Sequence, residues 1–181
     1  MTTSTTNEKY DVKKEFPQLY APKKGTVEHV LVPQLTYIAI SGKGSPDGAE
    51  FQAAMGALYS VAYPLKFHSK LDVGRDYAVG PTEGLWWADD PEDFTSGNKS
   101  QWQWTLLSVL PPWIRQEDLD VAVAKAEEHA MKTTAGGAVA GVLEILKRVQ
   151  LVTLTEGLCL QVLYVGPYAE ESRVLTNSRT V

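Results

Sequence analysis

Apolar and polar positions follow two different periods along the chain. The segment Val27–Ser41 is rich in β-branched residues and predicts a strand that Pro33 interrupts. From Ala49 onward apolar residues recur every three or four positions, which predicts an amphipathic helix that Asp47 caps and Pro64 ends or kinks. The later patterns predict strands over Tyr77–Ala88 and Gln101–Leu110, a helix over Glu117–Met131 and a broken strand over Val149–Val165, with Leu143–Arg148 open between helix and strand. The order β, α, β, β, α, β favours an α+β fold with an antiparallel sheet.

Composition narrows the classes of protein. The chain has 181 residues, of which 44% are hydrophobic and 22% charged, as expected for one globular domain. We expect an N-terminal arm over residues 1–25 and a single domain over residues 26–181. The formal net charge of −5 argues against binding to nucleic acid, and the absence of a long apolar run argues against a membrane span. A single cysteine, Cys159, predicts a reducing, cytoplasmic location, and three scattered histidines predict neither metal nor cofactor.

The tryptophans are the most unusual feature of the sequence. All five lie within residues 86–113. Trp86 and Trp87 fall on one predicted strand, and Trp102 and Trp104 on its neighbour. If the two strands pair, three indoles can line one surface, namely Trp102 and Trp104 with either Trp86 or Trp87, which suits a planar aromatic or cationic ligand. The alternative is that these rings form a bulky core beneath the helices.

Two glutamates share the tetrapeptide Thr-Glu-Gly-Leu, at residues 82–85 and 155–158. Each lies within a predicted strand, where a carboxylate is costly unless it is paired, hydrated or faces a cavity. In a pocket its pKa should rise, which suits a general base or a counter-charge for a cation. Glu83 and Glu156 are therefore candidate site residues, with an exposed carboxylate at a strand edge as the alternative for each.

Several stretches of the chain resemble the GyrI-like small-molecule-binding family. They are Asn7–Tyr20, Tyr37–Lys43, Ala57–Phe67, Pro81–Asp90, Trp102–Pro111 and Glu156–Tyr168. The block PTEGLWWADD, together with the strand that begins WQW, is specific to a stand-alone branch of that family, and the Gly-Pro-Tyr ending is common family-wide. A regulator of the MerR or AraC type is not expected, because no space precedes the domain for a helix-turn-helix.

The resemblance implies a duplicated βαββ fold, similar to the SOUL fold, with an antiparallel sheet and helices on one side. It also implies a groove for flat hydrophobic compounds, and in part of the branch a hydrolase that opens the cyclopropane ring of DNA-alkylating cyclopropanoids with water. On this basis we expect Glu83 to be the catalytic base. The expected substrate-binding residues are Tyr37, Trp86, Trp87, Trp102, Trp104, Glu156 and Tyr168.

Two further expectations accompany this reading. The match decays after Tyr168, so the second βαββ repeat is incomplete and an exposed sheet edge is expected to serve as a homodimer surface. The alternative functions are a non-catalytic protein that sequesters planar, often cationic molecules, and an interaction domain whose tryptophans are all core.

Overall fold

The fold is α+β, as the sequence predicts. The computed structural model describes residues 8–90, 92–134 and 136–166. Its helices are α1 (Val12–Glu15), α2 (Pro17–Tyr20), α3 (Ala49–His68), α4 (Glu92–Thr95), α5 (Gln116–Thr133) and α6 (Ala138–Leu146), with a π-helical turn at Ser69–Val73 and a 3₁₀ turn at Lys99–Gln101. The strands are β1 (Val27–Lys43), β2 (Thr82–Trp87), β3 (Gln103–Leu110) and β4 (Gln150–Val162).

Within these residues the four strands form one antiparallel sheet in the order β2-β3-β1-β4. The succession β1-α3-β2-β3 is one βαββ repeat, and β4 stands where the first strand of a second repeat would begin. The long helices α3 and α5 lie on one side of the sheet, which we call the helix face. Ile38 and Ile40 of β1 point there and join Leu58, Leu65 and Leu119 in the larger of two buried clusters. None of the described helices is long and apolar enough to cross a membrane.

The opposite side of the sheet, the arm face, is partly covered by the N-terminal arm. Tyr37 alternates with Ile38 along β1 and therefore points to this face. It packs in a second buried cluster with Leu107 of β3 and Val12 of α1, while Leu19 and Tyr20 of α2 pack against the same cluster. The two one-turn helices of the arm are thus held by apolar contacts with the sheet.

The ribbon formed by β1 and β4 changes its buried side at Pro33. On the N-terminal side of Pro33 the side chains of Val27, His29 and Leu31 are exposed, whereas on its C-terminal side Leu35 and Tyr37, which have the same alternation, are buried. The partner strand makes the same switch beside Gly157, whose φ of 74° lies in the left-handed region that favours glycine. Neither strand ends at its predicted break: both run on through these positions, and the ladder omits only Pro33 and Glu156, which lie opposite each other.

Several predicted boundaries were wrong. Helix α3 runs through Pro64 to His68, because buried Val61 and Leu65 flank the proline and hold the helix against the sheet. Its N-cap is Gly48, which makes no side-chain cap, rather than Asp47. The segment that precedes β2 is not a strand of the sheet. The ambiguous stretch near residue 143 belongs to helix α6.

The loss of strand structure before β2 has a local cause. Tyr77 forms an isolated parallel bridge with Tyr10 of the arm, and Ala78 donates its N–H to the Tyr10 carbonyl. Pro81 then offers no N–H for a ladder. This segment therefore ties the arm to the domain instead of extending β2.

Candidate functional site

Glu83 lies on the arm face, at the outer edge of the sheet. Its neighbours along β2 alternate in direction: Thr82 points to the helix face, where its hydroxyl donates to the Tyr59 hydroxyl at 2.8 Å. Glu83 pairs with Leu107 of β3, whose side chain is part of the arm-face cluster. The Tyr20 hydroxyl, carried by α2, donates to Oε1 of Glu83 at 2.6 Å. Among the described residues we find no hydrogen bond to Oε2.

Glu83 interacts electrostatically with Glu156 and Tyr37. The Tyr37 ring is only 2% exposed, and it sits between Val109 of β3 and Val152 of β4 in the strand register. No hydrogen bond to its hydroxyl is found in the described part of the chain. Glu156 is exposed at the kink of β4 and acts electrostatically on both Tyr37 and Glu83.

Burial is the largest cause of the shifted pKa values of Glu83, Tyr37 and Tyr20. Loss of solvent raises the pKa of the Glu83 carboxyl above its ordinary value; the hydrogen bond from Tyr20 lowers it, and the negative charge of Glu156 raises it. The pKa of Tyr37 is raised by burial and by the charges of Glu83 and Glu156. The pKa of Tyr20 is raised by burial, then by its hydrogen bond to Glu83. Both hydroxyls therefore stay protonated at neutral pH and can act as donors.

This arrangement has the parts of an acid–base site. A half-buried carboxylate with a raised pKa can accept a proton from water, and protonated phenols can donate to an oxygen that gains charge. Beside Glu83 on the same face, the side chains of Leu85 and Trp87 are 38% and 40% exposed. They offer an apolar surface against which a flat molecule can lie.

The tryptophans do not form one wall. The register pairs Trp86 with Trp104, so these two indoles share the helix face, and Trp87 points to the arm face. Trp104 is fully buried and contacts Phe51 of α3 edge-on at 5.1 Å. The sequence left open whether Trp86 or Trp87 joins Trp102 and Trp104, and the register places Trp86 with them.

Three of the five indoles form one cluster on the helix face. Trp86 stacks on Phe51 at 5.5 Å and meets Trp102 edge-on at 5.9 Å, and Trp104 contacts the same Phe51 ring. Trp113 donates to the Ser69 hydroxyl and carries the Arg75 guanidinium 4.0 Å above its ring. Of the predicted residues, the structure brings Glu83, Tyr37, Glu156 and Trp87 to the arm face. Tyr168 lies outside the described residues.

Other features of the described residues offer no competing centre. No group of three or more His, Cys, Asp or Glu side chains there could hold a metal ion. A concave region of about 380 Å³ lies between the arm and Trp113, and another of about 560 Å³ lies beside Gln18 and His29. Neither includes Glu83 or Trp87.

Sequence reasoning missed Tyr20, although its neighbours carried a signal. No helix is predicted within the arm, yet Val12, Phe16 and Leu19 follow one another at intervals of four and three residues. That spacing places them on one side of a helical segment. Such a segment must cover an apolar surface, and here it delivers the Tyr20 hydroxyl to Glu83.

The fold and the arm-face site thus define a small α+β protein with an acid–base group on one side of its sheet. The chain is similar to an uncharacterized conserved protein from Listeria innocua, with a TM-score of 0.80 and 33% identity over 95% of this chain and 79% of that one. It is also similar to two structures of a hydrolase from Listeria innocua, both with a TM-score of 0.77. The first is 32% identical and covers 95% of this chain and 82% of its own. The second is 33% identical and covers 96% of this chain and 80% of its own.

The identity and coverage establish the family: the chain belongs with these Listeria innocua proteins. No family model matches the chain, and no match was found among curated proteins.

Proposed function

We propose that this protein is a hydrolase that adds water to a flat, hydrophobic substrate on the arm face of its sheet. The observation that carries the proposal is the half-buried Glu83 carboxylate held at 2.6 Å by the Tyr20 hydroxyl. The two solved relatives named as hydrolases support the reaction type. The resemblance to the stand-alone GyrI-like branch supplies the substrate class, a DNA-alkylating cyclopropanoid, and a role in protecting the cell.

The reaction needs one base and one donor. In such a substrate a cyclopropane is conjugated to a dienone, so its ring carbon is electrophilic. Glu83 takes a proton from water as the water oxygen bonds to that carbon, and the cyclopropane C–C bond breaks. The electron pair moves through the conjugated system to the carbonyl oxygen, which becomes a phenolate and is protonated to a phenol. Solvent water supplies this proton, because the Tyr37 hydroxyl belongs to a side chain that is only 2% exposed within the arm-face cluster.

Trp87 is the proposed binding surface for the flat part of the substrate. It lies on the arm face four residues after Glu83 along β2, and 40% of its surface is exposed. A polarisable indole can stack on a planar ring and displace water from the reacting carbon. Trp86 has nearly the same exposure, 37%, but faces the opposite side of the sheet. Trp86 is therefore a matched control for the proposed role of Trp87 in substrate binding.

The experiment compares Trp87→Ala with Trp86→Ala in single-turnover assays with a cyclopropanoid, with circular dichroism to check folding. We expect Trp87→Ala to abolish turnover while Trp86→Ala keeps most of it. The reverse result would move the substrate to the cluster of Trp86, Phe51 and Trp102 on the helix face. Unchanged turnover in both folded variants would retire the proposal.

A second candidate function is sequestration of planar cations without chemistry. It is favoured by two carboxylates that act electrostatically on each other, Glu83 and Glu156, and by the exposed Trp87 on the same face as Glu83, because carboxylates and an indole attract a flat cation. Mass spectrometry of a bound cyclopropanoid after incubation separates the two functions. A water adduct supports hydrolysis, and unaltered ligand recovered from a tight complex supports sequestration.

A further inference from the structure

Helix α2 has a single turn, so its position depends on contacts with the rest of the protein and not on its own stability. Between residues 11 and 22, the described structure shows two hydrogen bonds that leave the arm. In one, the Tyr20 hydroxyl donates to Glu83 of β2. In the other, Nε2 of Gln161 in β4 donates to the Leu19 carbonyl at 2.6 Å. Apolar packing of Leu19 and Tyr20 completes the attachment of α2 to the sheet.

The two bonds come from opposite edge strands of the sheet. Among the described strands β2 and β4 are outermost, and three inter-strand spacings, about 14 Å, separate them. The Leu19 carbonyl belongs to the same planar peptide group as the Tyr20 nitrogen, so Gln161 fixes the backbone at the point where Tyr20 begins. Glu83 fixes the hydroxyl at the far end of the Tyr20 side chain. Tyr20 is therefore held at both ends.

The Gln161 side chain makes its bond at a cost. Its Oε1 is buried and has no hydrogen-bond partner among the described residues, and an unpaired buried acceptor destabilises a fold. The Leu19 carbonyl only accepts, so the amide nitrogen must face it, and the amide cannot turn over without losing this bond. A position that breaks a rule of polar pairing is more typical of a functional site than of a purely structural one.

We propose that Gln161 is a positioning residue for the acid–base site: it holds the Leu19 carbonyl so that the Tyr20 hydroxyl reaches Glu83. This role rests on the proposed function, because it concerns the same carboxylate. Without the bond from Gln161, α2 keeps its apolar packing but can shift along the sheet, and a hydrogen bond weakens steeply as its geometry departs from the ideal. Ionised Glu83 then loses a donor that stabilises its charge.

The test measures the protonation of Glu83 directly, in the full chain and without substrate. Carbon-13 NMR of protein labelled at its glutamate carboxyls follows each acid through a pH titration, and the signal missing from Glu83→Gln identifies Glu83. We expect Gln161→Met to move the Glu83 midpoint to higher pH by at least half of the shift that Tyr20→Phe produces, because methionine has a similar length but no donor. Gln150→Met is the matched control, since Gln150 is an exposed glutamine of the same strand. Thermal melts verify that each variant folds.

A double variant shows whether the effect passes through Tyr20. If it does, adding Gln161→Met to Tyr20→Phe leaves the Glu83 midpoint where Tyr20→Phe alone puts it. Glu156 and Tyr37, which are also coupled electrostatically to Glu83, are the same in all these variants. Gln161→Leu, which also lacks a donor, repeats the measurement with a side chain of different shape.

Each outcome decides the proposal. A raised midpoint in Gln161→Met, an unchanged one in Gln150→Met and no further shift in the double variant support it. An unchanged midpoint in folded Gln161→Met or Gln161→Leu overturns it, and so does a full shift that persists in the Tyr20→Phe background. A protein that shows the expected shifts but does not open a cyclopropanoid would contradict the hydrolase proposal alone. Turnover with an unchanged midpoint in the Gln161 variants would contradict only the role of Gln161.

Discussion

The tetrapeptide Thr-Glu-Gly-Leu occurs twice in this chain and has a different structure each time. In β2, Glu83 is half-buried and hydrogen-bonded to Tyr20, and its neighbour Gly84 lies under an indole. In β4, Glu156 is exposed, and Gly157 adopts a φ of 74° at the kink with nothing within 4 Å of where a Cβ would be. The same four letters thus give a desolvated acid in one place and a solvated acid at a bend in the other.

The difference comes from what covers each copy. The arm packs on β1 and β3 next to the first copy, and its Tyr20 hydroxyl reaches Glu83 of β2. The second copy lies at the sheet's far edge, where no described element covers Leu158. Loss of solvent is the largest cause of the raised pKa of Glu83, so the first copy is the better candidate for catalysis.

The largest expected effect separates the two glutamates. Glu83→Gln keeps an acceptor for the Tyr20 hydroxyl but cannot take a proton, so turnover of a cyclopropanoid should fall by about 100-fold or more. Glu156→Gln removes only a nearby charge and should cost less than about tenfold. Rates of product formation at saturating substrate measure both. Equal losses of turnover would show that Glu83 and Glu156 contribute equally to catalysis and would contradict the distinction between the two copies.

Tyr20→Phe should have the next largest effect. The hydrogen bond from Tyr20 stabilises ionised Glu83, so removing it should raise the pKa of Glu83 further and move the acid limb of the rate profile to higher pH. We also expect about a tenfold loss of turnover at neutral pH, since a hydrogen bond to a charged group is lost. Tyr63→Phe, an exposed tyrosine of α3, is the control. An unshifted acid limb in Tyr20→Phe would contradict the assigned base.

The two glycines should respond differently to alanine. Gly157→Ala forces a side chain into the left-handed region and should cost about 1 kcal/mol in the free energy of unfolding. At Gly84 an added Cβ would meet Trp86 Nε1 at 2.7 Å, so the partly exposed indole must move. We expect a change in indole fluorescence there and a smaller loss of stability. Urea denaturation measures both, and a neutral Gly157→Ala would argue against the kink.

The smallest expected effect is on stability against pH. Because the folded pKa of Glu83 lies above its unfolded value, the folded state holds its proton longer, and stability falls as pH rises through that interval. Glu83→Gln removes this penalty, so its melting temperature relative to wild type should rise from acidic to neutral pH. Melting curves across that range test the sign. A constant difference would mean that burial does not perturb this carboxyl.

Much of the fold could be predicted from local pattern. Periodicity predicted the α+β class and the antiparallel pairing. The restricted backbone of Pro33 and the glycine at 157 indicated where β1 and β4 become irregular. The errors were at positions where packing overrides propensity. Pro64 did not end α3, because buried neighbours on both sides hold it, and the strand before β2 was lost to pairing with Tyr10.

The site was predicted less completely. Glu83 stood out because a carboxylate in an apolar strand is costly, and its location on the arm face fits that reasoning. Tyr20 could not be assigned to it, since 63 residues separate the two and only the folded arm joins them. The sequence could not assign each indole to a face of the sheet either, because a shift of one residue in register exchanges the two faces of a strand.

The sequence alone determined which residues had to be explained: five clustered tryptophans, two glutamates in apolar strands and a proline within a long strand. Tertiary structure decided which glutamate lost its solvent and which indole stands beside it. The physical reason is that periodicity is a local property of the backbone, whereas desolvation depends on what distant segments place above each side chain. In this protein that segment is the arm, and the acid it covers is Glu83.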